Sequence, residues 1–107
     1  MLANDPASES LFRRLMTDKS ETSSVRRLSA SGLQSLNPPA FERAARKIVA
    51  DDDDYDEIRA TSLAALAHQP DAKSDAKFVA TVEELHGSSR SRALRSSTAR
   101  YLRAIEP

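Results

Sequence analysis

Val25-Arg26-Arg27-Leu28-Ser29-Ala30-Ser31-Gly32-Leu33 decides how this chain folds, because it comes back twice. The returns are Ile58-Arg59-Ala60-Thr61-Ser62-Leu63-Ala64-Ala65-Leu66 and Leu94-Arg95-Ser96-Ser97-Thr98-Ala99-Arg100-Tyr101-Leu102, at successive offsets of 33 and 36 residues. Each copy opens on an aliphatic residue followed by arginine. A small hydroxyl residue follows, and leucine stands eight positions after the aliphatic. A fixed period in this range is the mark of stacked helical hairpins, each too small to bury its own apolar face.

Working outward from these copies, the apolar spacing predicts six helices in three pairs. Helix 1 starts at Asp5, an N-cap, with Pro6 in the first turn, and its stripe is Leu11, Phe12, Leu15 and Met16. Residues 17–24 hold no apolar side chain and read as a loop. Ser23 or Ser24 caps helix 2, with Val25, Leu28, Gly32, Leu33 and Leu36 expected inside. Asn37-Pro38-Pro39 ends it, because a residue before proline is pushed out of the helical region. Helix 3 carries Phe41, Ala44, Ala45, Ile48 and Val49, and helix 4 carries Ile58, Ser62, Ala65 and Leu66 before stopping at His68-Gln69-Pro70. After a polar linker over residues 70–75, helix 5 presents Phe78, Val79, Val82 and Leu85, with Gly87 as its stop. Ser88 or Ser89 caps helix 6, which runs through Leu94, Thr98, Tyr101, Leu102 and Ile105. Short links make successive helices antiparallel neighbours.

Composition bounds the answer. A chain of 107 residues is read as a single domain, residues 1–107, with repeats over about 5–36, 38–69 and 74–106. Cysteine is absent, which excludes disulfides, thiolate metal sites and a cysteine nucleophile, and is compatible with a cytoplasmic location. The opening residues carry no signal-peptide pattern, and no apolar run approaches the ~20 residues that cross a bilayer. Only two glycines argue against an all-β fold. Net charge is zero but blocked: +3 over residues 1–49, −7 over 50–89 and +4 over 90–107.

On its repeated residues the chain resembles the HEAT-repeat α-solenoids of the short-period bacterial kind. The residues that carry the likeness are Val25-Arg26, Ile58-Arg59 and Leu94-Arg95, the small residues Ser29, Ser62 and Thr98, and the leucines Leu33, Leu66 and Leu102. The chain departs from that family by placing Ser or Thr where Ala is usual, and its period is shorter than the ~40–47 residues of the longer class. Tetratricopeptide and ankyrin repeats fit less well, because their Trp-containing first helix and Thr-Pro-Leu-His turn are missing. The resemblance implies an all-α fold: a right-handed α-solenoid of three stacked antiparallel helix pairs. It also implies an Asp–Arg ladder between repeats, for which Asp53 stands six residues before Arg59. Ser20 and Ser89 occupy the equivalent places.

Each candidate site has a plain structural reading beside it. Asp51-Asp52-Asp53-Asp54-Tyr55-Asp56-Glu57 holds carboxylates suited to a hard cation, but it lacks the glycine and terminal glutamate of an EF-hand loop. A solvated loop at the positive end of helix 4 is the favoured reading. Arg90, Arg92, Arg95, Arg100 and Arg103 make helix 6 basic, which suits phosphate; a charged outer surface is the simpler account in a neutral chain. Arg26-Arg27-Leu28-Ser29 resembles a basophilic kinase site, yet Ser29 sits at the repeat's small buried position. His68 and His86 fall in last turns of helices and share no zinc spacing. Glu83 and Glu84 are adjacent and point about 100° apart, as surface residues do. No phosphate loop and no nucleophile elbow is present.

These readings converge on a noncatalytic protein–protein interaction or scaffold module with no cofactor and no metal. Its partner is another protein or a peptide. By family analogy the second helices face the partner, so Arg27, Ser31, Arg59, Arg95 and Arg100 are the expected exposed contacts. The alternative is binding of nucleic-acid phosphates through helix 6 and Arg13, Arg14, Arg26 and Arg27; a regulatory or lyase-type subunit ranks third. The apolar stripes of helices 1 and 6 also suit a missing neighbour, a homo-oligomer or a fragment of a longer solenoid.

Overall fold

The computed structural model describes residues 6–68 and 75–105. Among them are six helices and no strand: α1 (Pro6–Thr17), α2 (Ser23–Leu36), α3 (Pro38–Ala50), α4 (Asp56–Leu66), α5 (Ala76–Ser88) and α6 (Arg92–Ala104). No described helix is long and apolar enough to cross a membrane. The Asp5 cap and the linker after His68 lie outside the described residues. The chain divides into two compact units between Ala44 and Ala45, within α3.

In the first unit α1 packs against α2. Met16, Leu33, Ala40, Phe41 and Ala44 are its buried apolar residues. The buried stripe of α2 is Arg26, Ser29 and Leu33, at helical spacing. That stripe is rotated from the expected one. Leu28, expected inside, is 72% exposed, while Arg26, which the phosphate-binding alternative needs at the surface, is 2% exposed. The rotation has a physical cause: Arg26 Nε donates to the carbonyl of Met16 at 2.9 Å. The last carbonyls of a helix have no partner within it, and a cation is favoured at that negative end. With its partner inside, the guanidinium goes in and Leu28 turns out. Gly32 accommodates the close approach of Phe12, whose ring atoms would lie 2.7–2.9 Å from a Cβ built there.

The cap of α2 is Thr22 rather than Ser23 or Ser24, its hydroxyl accepting from the Val25 amide at 3.2 Å. Asn37 ends α2 and starts α3 at once. Its amide donates to Leu33 O at 2.8 Å, and its side-chain oxygen accepts from the Ala40 amide at 3.2 Å. Pro38 and Pro39 lie in the first turn of α3, where a missing N–H costs nothing.

In the second unit α4 and α5 each pack against α6. Ile48, Val49, Ile58, Leu63, Leu66, Phe78, Val82, Leu94 and Tyr101 are buried. Phe78 on α5 meets Tyr101 on α6 edge to face, with centroids 5.5 Å apart and planes at 89°, and the Arg46 guanidinium sits 5.9 Å from the Phe78 centroid. Ser62 and Thr98 are buried, as is Ser29 in the first unit, so the small-hydroxyl position of the repeat is an interior one in all three copies. A buried Ser29 is no kinase target. Leu102 and Ile105 are only partly covered. Two further termini differ from expectation. The α5 helix runs through Gly87, which has no positive φ, and is capped at Ser89; α6 is capped by Ser91, not Ser88 or Ser89, through a bond from the Leu94 amide at 3.2 Å.

Candidate functional site

The most detailed local feature is a loop built twice. Between α1 and α2, the Ser20 amide donates to Asp18 Oδ1 at 2.9 Å, the Glu21 amide to Asp18 O at 3.1 Å, and Arg26 reaches back to Met16 O. Between α3 and α4, the Asp53 amide donates to Asp51 Oδ1 at 2.9 Å and the Asp54 amide to Asp51 O at 3.1 Å. Arg59 then reaches Val49 O from Nε at 2.9 Å and from Nη2 at 2.7 Å. Every partner is displaced by the same 33 residues. The residues that sequence reasoning missed are therefore Asp18 and Asp51, which set each loop. The signal was available: both stand eight residues before the arginine of their copy.

Arg59 is thus not the surface contact the family analogy implied; it is 5% exposed. Nor does it pair with Asp53. Its carboxylate neighbours are Asp52 at 3.3 Å and Asp56 at 3.8 Å, both on its own hairpin. Asp52, Asp53, Asp56 and Glu57 face solvent, while Asp54 is buried and accepts from the Tyr55 amide at 2.7 Å. The acidic run is a turn plus a helix start, with Asp56 and Glu57 in the first turn of α4 where the dipole favours them. Among the described residues no cluster of histidine, cysteine or carboxylate groups is placed to hold a metal ion. The Asp18 carboxyl is held below the ordinary aspartate range, first by the Ser20 hydroxyl bonded at 2.6 Å and then by the Ser20 amide.

The third hairpin breaks the pattern. Its loop spans residues 89–91, against 18–22 and 51–55 in the other two. The carbonyl that Arg95 would take, Leu85 O, instead accepts from the Ser89 amide at 2.9 Å. Arg95 is accordingly exposed. In its stead His86 Nδ1 lies 2.9 Å from Thr98 Oγ1. The Thr98 hydroxyl also lies 2.8 Å from Arg95 O, so it donates to that carbonyl and accepts from His86 in the tautomer that carries a hydrogen on Nδ1. His68, Glu83 and Glu84 are exposed.

Of the remaining expected contacts, Arg27 and Ser31 share the exposed stripe of α2 with Leu28, and Arg100 is exposed on α6 with Arg95. Comparison of the chain with protein-family models, with curated proteins and with solved structures finds no match in any of the three.

Proposed function

We propose that the chain is a noncatalytic module of the HEAT type, a solenoid of helical hairpins that binds another protein or a peptide. The observation that carries this reading is Leu28, 72% exposed between Arg27 and Ser31. Its place in the repeat is that of Thr61, which is also exposed, so the outward direction follows from the hairpin register rather than from a frayed end. A large aliphatic side chain at a solvent-facing repeat position costs solubility and gains nothing for the hairpin. Covered by a partner, it would contribute about 2 kcal/mol. The twofold repetition of the arginine-closed loop supports the solenoid, since it makes successive hairpins equivalent building blocks.

The test is affinity capture from the source lysate with the unaltered chain and with Leu28→Asp and Arg27→Glu. Proteins retained by the unaltered chain and lost from both variants support the reading. Identical retention by all three would remove α2 as the contact surface.

A further inference from the structure

The α6 helix presents a second surface with different chemistry. Arg92, Arg95, Arg100 and Arg103 are all exposed, and so is Arg90 in the loop before it. Advancing about 100° per residue, the four helical arginines fall within an arc of about 140°. The opposite face, Leu94, Thr98 and Tyr101, is buried. None of the five makes an ion pair or side-chain hydrogen bond with a described residue. No carboxylate lies on α6. Five guanidinium groups on one short stretch set up a local positive potential that attracts an anionic partner.

The surroundings select among anionic partners. A membrane-surface helix needs a free apolar face, and that of α6 is already buried against α4 and α5. A protein interface needs an apolar or aromatic anchor, and α6 has no exposed large apolar side chain. Single-stranded nucleic acid needs exposed rings for bases to stack on, and Tyr101, the one aromatic residue of α6, is fully buried. What remains is a duplex phosphate backbone. At ~1.5 Å rise per residue, Arg92 and Arg103 stand about 16 Å apart along the axis. With the helix lying in the ~12 Å major groove of B-form DNA, arginines fanned over that arc along this length reach the phosphate rows on both sides. The deep, narrow major groove of duplex RNA does not admit a helix. The small residues Ser96 and Ala99 between the arginines let the helix axis come close.

We propose that the outer face of α6 docks on B-form DNA through its phosphates, without selecting bases. The proposal is independent of the Leu28 surface, which lies on the other unit. The test is fluorescence anisotropy of a short labelled duplex DNA across a salt series. Neutralising four to five phosphates gives a slope of log K against log salt of about −4. Affinity then falls roughly 250-fold between about 50 and 200 mM salt. Replacing Arg92, Arg100 and Arg103 together by Gln flattens the slope to between about −1 and −2, whereas Arg13→Gln with Arg14→Gln leaves it unchanged. These side chains are exposed, and circular dichroism checks that each variant is folded; the slope of the unaltered chain is a separate measurement. Absence of binding at low salt overturns the proposal. So does a slope indifferent to the α6 substitutions. Equal binding of duplex RNA, competition by polyglutamate at the same charge concentration, or retention on anionic vesicles would each assign the surface to a different partner.

Discussion

Arg59→Met tests the buried-arginine loop most directly. The side chain is 6% exposed, and two of its nitrogens converge on Val49 O at 2.9 and 2.7 Å. Hydrogen bonds from a charged group contribute about 1.5–3 kcal/mol, and a cation at a partly buried helix C-terminus adds up to ~2 kcal/mol. The surface pairs with Asp52, 89% exposed, and Asp56, 57% exposed, add little. Against these stands the cost of burying the guanidinium, which methionine of similar length removes. The orphaned Val49 carbonyl decides the balance, and a net loss of about 2 kcal/mol is expected. For a chain of this size that lowers Tm by roughly 8–12 °C. Arg59→Lys offers one donor in place of the fork and loses about half as much. Arg26→Met should behave like Arg59→Met, and Arg95→Met should stay within about 0.5 kcal/mol, as surface changes do. Urea denaturation followed by circular dichroism gives all four values. The reasoning is refuted if Arg95→Met costs as much as Arg59→Met, or if Arg59→Met costs nothing.

Two further outcomes are expected. Gly32→Ala gains helix propensity of about 1 kcal/mol but pushes a methyl to 2.7 Å from the Phe12 ring. It should therefore destabilise the unaltered chain and stabilise a Phe12→Leu background; the same effect in both would show that the ring yields freely. The depressed Asp18 carboxyl favours the folded state above the unfolded aspartate pKa and loses that contribution as pH falls through the folded value. In Ser20→Ala the Asp18 pKa should rise toward the ordinary range, read by NMR titration of its carboxyl, and an unmoved value would remove Ser20 as the cause.

The helices were legible because each is announced by apolar spacing and a polar break. The serines near α2 and α6 gave starts to within a few residues. The rotation of α2 was not legible. Periodicity treats arginine as an outward residue, and only the Met16 carbonyl, ten residues away in the chain, draws Arg26 in and turns Leu28 out. Family analogy placed Arg59 outward, and the Val49 carbonyl draws it in by the same means. Thr22 and Ser91 were missed as N-caps because neighbouring serines offer equivalent chemistry, and backbone geometry alone chooses between them. Family analogy placed Arg27, Ser31, Arg95 and Arg100 outward, and all four are exposed; Arg95 is so only because the third loop breaks the pattern that buries Arg26 and Arg59.

The difference between hairpins links the fold to the surfaces. In the first two, a five-residue loop leaves the preceding helix end open, and the repeat arginine is consumed in closing it. In the third, α5 continues to Ser88, the Ser89 amide closes Leu85 O, and His86 with Thr98 ties the helices together. A shorter loop thus performs the closure and releases the arginine. Arg95 then adds to Arg92, Arg100 and Arg103 on the solvent side of α6. A copy of the motif that keeps its sequence but loses its structural duty is where charge can be spent on binding. Lengthening the 89–91 loop to match the other two should draw Arg95 inward and weaken any phosphate contact that it makes.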